Sequence, residues 1–300
     1  MSAMVPLYGF GGVPYSAVRK AAPRNILDNS DFRNPVNQRG IASGTAVAAY
    51  GYFIDRWING EESSIAPNMS SNGIKPNGAF YQNLDSLASY VGKKMTFAVG
   101  LSSGNVVTAS GTLTEATTSD DVFIFDTTDG SNKIAVGSDA GLWYVWIDYP
   151  SSTIQWAALY EGEYTAATLP EYHPKGYVAE LAECQRYYQN LSTIDNAFDV
   201  VLNGFVSNTS TALAVSLPGM SKMRITPTVV FSGGIVIRGN NGYSSDATYG
   251  TPYMSPNVVP RLNTLVFYKS DNSAWAGIDN NTNISISLKL GSILSLSADL

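Results

Sequence analysis

Histidine and cysteine are the side chains that most often bind transition metals or act as nucleophiles, and this chain has one of each, His173 and Cys184. Zinc sites use three or four protein ligands, so this inventory predicts no metal centre. Cys184 would need a neighbouring base to act as a nucleophile. Its spacing from Leu181 and Tyr188 instead places it on one face of a helix, where a buried, unreactive thiol is expected. His173 precedes Pro174 and is interpreted as a turn residue.

Paired carboxylates are the other route to catalysis, because glycoside hydrolysis needs two acids about 5 to 10 Å apart. Acids that are adjacent or alternate in sequence are more often solvated turn residues, and the chain lacks the regular repeats of a β-helix. We therefore predict no catalytic residue and no enzyme activity, and leave glycan cleavage as the least favoured alternative. The acids considered are Asp28, Asp31, Asp55, Glu61, Glu62, Glu161 and Glu163.

A tyrosine-rich loop, GNNGYSSDATYGTPYMSP at residues 239–256, has the composition of a ligand-binding surface. Tyrosine rings give a large contact area at low entropy cost, and small polar neighbours adapt their hydrogen bonds to a ligand such as a sugar. Packing against the same domain or a neighbouring subunit would explain the loop equally well. The candidate ligand-binding residues are Asn240, Tyr243, Asp246, Tyr249 and Tyr253.

A second aromatic cluster lies on the predicted strand LWYVWIDY, residues 142–149. Alternation along a strand places Tyr144, Trp146 and Asp148 on one face, opposite a face of apolar side chains. Flat rings beside a carboxylate suit stacking against a sugar. Burial under the helix or at a subunit contact is the alternative.

The composition indicates the scaffold that positions these residues. Only 14% of the 300 residues are charged, and 27 glycines and 18 tyrosines are typical of turn-rich all-β structure. The net charge is −6 and no basic cluster extends beyond Lys93 and Lys94, so nucleic-acid binding is not expected. No apolar run approaches the roughly 20 residues of a membrane helix, so we expect no membrane insertion. A single cysteine is consistent with synthesis in a cytoplasm.

Four regions are predicted along the chain. Residues 1–24 are rich in glycine and proline and form an arm, residues 25–176 form a β-sandwich, and residues 190–300 form a second β-sandwich domain. Between them, residues 177–189 are predicted to form a connecting helix, because Tyr177, Leu181, Cys184 and Tyr188 recur at helical spacing. Apolar residues at even positions from 284 to 300 predict a half-buried strand or strand pair.

Several segments resemble, in content and order, a module of the tail-fibre and receptor-binding appendage proteins of tailed bacteriophages and prophages. They are NILDNSDFRNPVNQRG at residues 25–40, IDRW at 54–57, IQWAALYEGEY at 154–164, ELAECQRYY at 180–188 and, more weakly, LPGMSKMRITPTV at 217–229. The resemblance implies a jelly-roll sandwich similar to carbohydrate-binding modules, closed by one short helix. After Gly162 this chain has a longer run than the family, so the path into the helix is not implied.

The motif residues are expected to have structural roles. Asp55, beside Arg56 and Trp57, is expected to form a buried or half-buried charge pair that fixes a strand end. The full set of structural motif residues is Arg39, Asp55, Arg56, Trp57, Leu181, Cys184 and Tyr188.

The function implied by the resemblance is attachment of a virion to its host. We expect a homotrimeric appendage that binds a bacterial surface glycan or protein without catalysis or cofactor, and that contacts other virion proteins through its arm. The C-terminal domain is a possible receptor-binding tip. The alternatives are a purely structural fibre of the collar, head or baseplate and, less favoured, a capsule depolymerase.

Overall fold

A computed structural model describes most of the first part of the chain and the strands of the second part. The described residues are 23–85, 87–115, 120–126, 130–139, 141–190, 201–206, 212–216, 223–225, 227–232, 235–239, 244–247, 253–254, 264–268, 283–288 and 293–298. The predicted arm lies outside these residues except for Pro23 and Arg24. Within them the chain forms 21 strands, numbered in chain order, one α-helix and the short 3-10 helix Ala88–Tyr90. The prediction of an all-β protein is confirmed.

The first part of the chain forms two antiparallel sheets. In spatial order, the strands of the six-stranded sheet are β1 (Tyr52–Ile54), β2 (Trp57–Asn59), β5 (Phe80–Leu84), β10 (Leu142–Asp148), β9 (Lys133–Asp139) and β8 (Asp120–Asp126). Those of the five-stranded sheet are β3 (Asn68–Ser70), β4 (Gly73–Lys75), β11 (Ile154–Glu161), β6 (Lys94–Leu101) and β7 (Val106–Thr112).

The two sheets share one hydrophobic core. Phe32, Trp57 and Phe80 meet edge to face, with ring centroids between 5.1 and 5.8 Å apart, a geometry that adds about 0.5 to 1.5 kcal/mol per pair beyond burial. Phe97 and Leu159 enter the same core from the other sheet. The core therefore fixes one face of each sheet and leaves the opposite faces for other contacts.

Strand β10 shows how the alternation of residue types sets these faces. Val145 and Ile147 are fully buried in the core, whereas Tyr144 and Trp146 are half-buried on the other side of the sheet. The predicted division of this strand into two faces is confirmed.

The helix α1 spans Tyr177–Cys184 and is shorter than the predicted range of residues 177–189. The backbone N–H of Tyr187 bonds back to Cys184, and its carbonyl accepts a hydrogen bond from the N–H of Ala298. Strand β12 (Tyr188–Asn190) then pairs with β21 (Ile293–Ser297), so tertiary strand pairing overrides helix propensity at the two tyrosines.

The buried side of α1 also differs from the predicted face. Glu180 and Cys184 are its buried residues, whereas Tyr177 is 47% exposed. Cys184 is buried as expected, and burial raises the pKa of its thiol far above the ordinary value. The helical spacing of apolar residues correctly predicted that Cys184 is buried, but it did not predict the burial of Glu180.

The second part of the chain contributes two further sheets. The three-stranded sheet has the order β12, β21 and β15 (Thr228–Ser232). The seven-stranded sheet has the order β17 (Ser244–Ala247), β16 (Ile235–Gly239), β20 (Asn283–Leu288), β13 (Val201–Val206), β14 (Ala212–Ser216), β19 (Thr264–Tyr268) and β18 (Tyr253–Met254). The alternating run at residues 284–300 forms two strands, β20 in the seven-stranded sheet and β21 in the three-stranded sheet. Its residues Leu294, Leu296 and Ala298 are buried.

Chain connectivity requires the seven-stranded sheet to curve. Its edge strands are β17, which ends at Ala247, and β18, which begins at Tyr253. Six residues span at most about 22 Å, whereas the edges of a flat sheet of this width would lie about 29 Å apart. The two edges must therefore bend towards each other.

Candidate functional site

A cleft of about 360 Å³ opens on the face of the six-stranded sheet that points away from the core. Such a volume lies at the small end of the range of small-molecule sites, about 300 to 1,000 Å³. The residues that line it are Tyr50, Tyr81, Asn83, Asp139, Leu142, Tyr144 and Trp146.

Cross-strand pairing between β5 and β10 assembles the aromatic part of the cleft. Trp146 lies opposite Tyr81, and Tyr144 lies opposite Asn83. The rings of Tyr81 and Trp146 are nearly parallel, at 12° with centroids 6.0 Å apart. Tyr144 meets Tyr81 edge-on, at 73° and 6.5 Å. The rings therefore form two walls at a steep angle, a shape that offers a ligand one ring face and one ring edge.

Two glycines allow the rings to lie close to the backbone. A Cβ atom on Gly137 would stand 2.4 Å from the hydroxyl oxygen of Tyr144, and one on Gly60 would stand 2.7 Å from the indole of Trp146. Real Cβ atoms do not approach other atoms so closely. Any side chain at either position would push a ring away from the sheet, so the glycines help to define the cleft.

Tyr50 stands at the edge of the cleft in an unusual backbone conformation. Its φ angle is +58° and its side chain is 58% exposed. The left-handed conformation costs a non-glycine residue about 1 to 2 kcal/mol, and such strain is concentrated at functional sites. The turn that holds it is closed by a hydrogen bond from the N–H of Gly51 to the carbonyl of Ala48, 3.0 Å long.

Several polar groups of the cleft make no hydrogen bond or ion pair with any residue that the structure describes. They are the hydroxyls of Tyr50 and Tyr81, the side-chain amide of Asn83, the carboxylate of Asp139 and the indole N–H of Trp146. By contrast, the indole N–H groups of Trp57 and Trp143 donate to Asn29 and Thr114, over 2.8 and 3.1 Å. The cleft thus combines ring faces with donors and acceptors that have no partner among the described residues.

The ionisation of Tyr81 keeps its hydroxyl available as a donor. Burial raises the pKa of this phenol above its ordinary value, and the nearby Tyr50 raises it further. The group is therefore a neutral donor and acceptor throughout the physiological pH range.

The sequence-based candidates are distributed unevenly around this cleft. Tyr144 and Trp146 line it, but Asp148 on the same face of β10 does not, and it faces Lys133 across the neighbouring strand. The acidic residue of the described lining is instead Asp139, at the other end of the β9–β10 pairing.

The candidates in the tyrosine-rich loop are described only in part. Asn240, Tyr243 and Tyr249 lie outside the described residues. Asp246 belongs to β17 and Tyr253 to β18, at opposite ends of the strand order, so part of the predicted loop is strand.

Aromatic residues on the outer face of the five-stranded sheet are covered by the chain itself. Trp156 stacks on Tyr172 with centroids 4.7 Å apart and an angle of 7°. The hydroxyl of Ser110 donates to the backbone carbonyl of Tyr164. The ring of Tyr164 contacts the ring of Tyr160 edge-on. Residues 162–176 thus contribute Tyr164 and Tyr172 to a cover over part of this sheet.

The motif residues join the first two sheets to the helix and β12. Asp55 is 1% exposed and pairs with Arg39, whose Nε lies 3.5 Å from Oδ1. The guanidinium of Arg39 also lies over the rings of Tyr52 and Tyr188, at 4.1 and 3.9 Å. The expected charge pair at Asp55 therefore exists, but its partner is Arg39 and not the adjacent arginine.

Arg56 forms a second buried contact of the same kind. It occupies the turn between β1 and β2 at a φ of +73°, and its Nε lies 3.4 Å from Oδ2 of Asp28. Its guanidinium stands 3.5 Å from the ring centroid of Tyr187. Trp57, next in the motif, is fully buried in the core. These contacts support the structural interpretation of the motif.

A second cavity, of about 350 Å³, lies beside Arg56, between the first sheets and α1. Its charged side chains have ion-pair partners: Asp28 pairs with Arg56, and Glu183 pairs with both Arg24 and Arg186. Asp85 pairs with Arg224, which lies outside the lining. Since its charges are already paired, this cavity offers a ligand less than the aromatic cleft does.

All of the acids considered for catalysis except Glu62, which is exposed, have contacts with cations or backbone donors among the described residues. Asp28 pairs with Arg56 and Lys175, and Glu61 accepts the N–H of Ala79 at 2.7 Å. Further ion pairs join Asp31 to Arg33, Glu161 to Lys93 and Glu163 to Lys94. In the described part of the chain, no three His, Cys, Asp or Glu side chains group in a way that would hold a metal ion.

The described residues include no helix that combines the length and the apolar character of a membrane span. Comparisons with protein-family models, curated proteins and solved structures found no match for this chain.

Proposed function

We propose that this chain is a virion appendage protein of a tailed bacteriophage or prophage, and that its aromatic cleft binds a glycan of the bacterial surface without catalysis. The observation that carries the proposal is the cleft itself. Trp146, Tyr81 and Tyr144 supply ring faces and edges, and the lining adds polar groups that have no partner among the described residues. A sugar ring has complementary chemistry, with an apolar C–H face and a rim of hydroxyls that both donate and accept.

The resemblance of the motif segments to phage appendage modules supports the biological setting. In this proposal the first two sheets form a jelly-roll sandwich of carbohydrate-binding type, residues 1–24 contact other virion proteins, and three copies assemble. The mature protein belongs to the virion and is made in the host cytoplasm. One cleft per copy would bind weakly, and three linked clefts would gain avidity of 10²-fold or more.

The test is binding of labelled full-length protein to a panel of bacterial strains, with competition against adsorption of a phage that infects them. Trp146→Ala should lower binding about 30-fold or more, the loss expected for a residue at the centre of a site. Tyr177→Ala is the matched control, because Tyr177 is an exposed aromatic residue outside the cleft.

The outcomes separate the proposed function from its alternatives. Binding that is lost in Trp146→Ala and kept in Tyr177→Ala, together with blocked adsorption, supports attachment through the cleft. Wild-type binding that Trp146→Ala leaves unchanged would move the site elsewhere. If the wild-type protein binds no strain that the phage infects, a purely structural fibre is the better interpretation.

A further inference from the structure

The cleft also indicates which sugars it takes. Resting on the proposed function, we propose that the cleft selects neutral hexopyranose residues and disfavours acidic sugars, with Asp139 as the specificity-determining residue. The inference follows from the charges of the lining, the polar groups that it presents and the arrangement of its rings.

The charge of the lining is negative. Among the described residues that line the cleft, Asp139 is the only one with a charge at neutral pH, and none of them is a lysine, arginine or histidine. Asp139 is exposed and forms no ion pair with a described residue. Arg56 donates to the backbone carbonyl of Asn83 but is buried and paired with Asp28, and Lys133, on the outer face of β9, lies opposite Asp148. A sugar carboxylate or phosphate would therefore meet a negative charge that no described lining residue compensates.

The hydrogen-bonding groups suit hydroxyls better than acids. Asp139 only accepts hydrogen bonds, whereas Asn83 and Tyr81 both donate and accept, and the indole of Trp146 only donates. A sugar hydroxyl can donate to the carboxylate and accept from the other groups. An ionised acid has no proton to donate, so beside Asp139 it would lose a hydrogen bond as well as meet repulsion.

The rings favour a single flat pyranose unit. The nearly parallel rings of Tyr81 and Trp146 provide faces for stacking, and Tyr144 closes one side with its edge. Leu142 adds an apolar contact at the end near Asp139. With about 360 Å³ available, the cleft is sized for a small ligand or a short segment of a polysaccharide and not for a folded protein.

The experiment measures binding of the full-length protein to surfaces that display matched pairs of sugars. Glucose is compared with glucuronate, and galactose with galacturonate, because each pair differs only by oxidation of the C6 hydroxymethyl group to a carboxylate. N-Acetylglucosamine extends the neutral set. The wild-type protein should bind the neutral member of at least one pair about tenfold or more tightly than its acidic partner.

Asp139→Asn removes the charge while keeping the size of the side chain. The ratio of neutral to acidic affinity should fall about three- to tenfold, the effect of one nearby charge at a partly solvated site. Raising the ionic strength should reduce the wild-type ratio in the same direction. Asp148→Asn is the matched control: it removes a charge from the same face of β10 but outside the cleft, so the ratio should stay unchanged.

The results distinguish failure of the selectivity from failure of the proposed function. Equal or tighter binding of the acidic sugars, with Trp146→Ala still abolishing binding, overturns the selectivity and leaves a glycan-binding cleft. An unchanged ratio in Asp139→Asn overturns the role of Asp139. If the wild-type protein binds none of the surfaces, both the selectivity and the glycan-binding cleft are wrong.

Discussion

Trp146 and Trp156 lie on the outer faces of two sheets that share a core, yet the chain treats the two faces differently. Tyr172 stacks on Trp156 at 4.7 Å and 7°. Trp146 contacts Tyr81 at 6.0 Å and borders an open cleft. Tyr172 thus stacks on Trp156 more closely than Tyr81 stacks on Trp146. Both indoles are half-buried, but Trp156 is stacked under a segment that follows its strand, whereas Trp146 borders a cleft.

The cover of the five-stranded sheet is held by specific bonds and not by stacking alone. The hydroxyl of Tyr172 lies 3.4 Å from that of Ser30, and the ammonium of Lys175 donates to the carbonyl of Leu27 at 2.9 Å. The carboxylate of Glu180 accepts the N–H of Asn29 at 2.7 Å. Residues 162–176 are therefore part of the folded structure, and their removal should cost stability.

The largest expected effect is on stability, from removal of the covered tryptophan. Trp156→Ala deletes a ring packed between Tyr172 and Gly100, and should lower the free energy of unfolding by about 3 kcal/mol. Trp146→Ala, which deletes a ring beside an open cleft, should lower it by only about 1 kcal/mol. Urea denaturation of both variants measures the difference. Equal losses would mean that the two faces are equally covered.

The next effect comes from glycines beneath the two aromatic clusters. A Cβ on Gly100 would stand 2.1 Å from the indole of Trp156, so Gly100→Ala should displace that ring from Tyr172 and cost about 2 kcal/mol of stability. At Gly137 the Cβ meets the far end of the Tyr144 side chain, which can swing away. Gly137→Ala should therefore change stability little and weaken glycan binding.

Denaturation and binding assays on the same two alanine variants measure both quantities. Loss of stability in Gly137→Ala with unchanged binding would show that Tyr144 is structural.

A third variant should convert the covered face into an open one. Tyr172→Ala removes the ring stacked on Trp156 and its contact with Ser30, and should cost about 1 to 2 kcal/mol of stability. The newly exposed indole should become more accessible to acrylamide, measured by fluorescence quenching. Tyr177→Ala is the control, because Tyr177 is already exposed. No increase in quenching would mean that other groups protect Trp156.

Much of the strand content was predictable, because alternation along a half-buried strand follows directly from the period of the side chains. The strand predicted at residues 142–149 is β10, Leu142–Asp148, with the predicted faces. The helix was predicted too long, because propensity says nothing about the pairing of β12 with β21, more than 100 residues away in sequence. Sheet order was not predictable for the same reason.

Of the residues that line the cleft, the sequence predicted only Tyr144 and Trp146, which lie on β10. Tyr81 and Asn83 alternate with buried residues along β5, so the same rule would have placed them on an outer face. That this strand lies beside β10 depends on sheet order. Tyr50 gave no signal, since its position depends on a turn with a positive φ. Choosing Asp139 over Asp148 required knowing at which end of the β9–β10 hairpin the cleft opens.

The smallest expected effect is a change in how stability depends on pH, from the carboxyl group that helps to hold the cover. Burial raises the pKa of Glu180 above its ordinary value of 4.5, although Lys175 and the bond from Asn29 act in the opposite direction. Between the ordinary and the raised pKa, the folded state binds more protons than the unfolded state. The free energy of unfolding should therefore fall as pH rises through the interval just above 4.5.

Glu180→Gln keeps an oxygen that can accept the N–H of Asn29 but does not titrate. Relative to the wild type, the variant should gain stability as pH rises through that interval, and the difference should level off above it. Urea denaturation at a series of pH values measures this difference. Glu163→Gln, at an exposed side chain, should change the pH dependence little. If the free energies of unfolding of wild type and Glu180→Gln change in parallel with pH, Glu180 is not the titrating group. The cover over Trp156 then depends on the stacking of Tyr172 and on Lys175 instead.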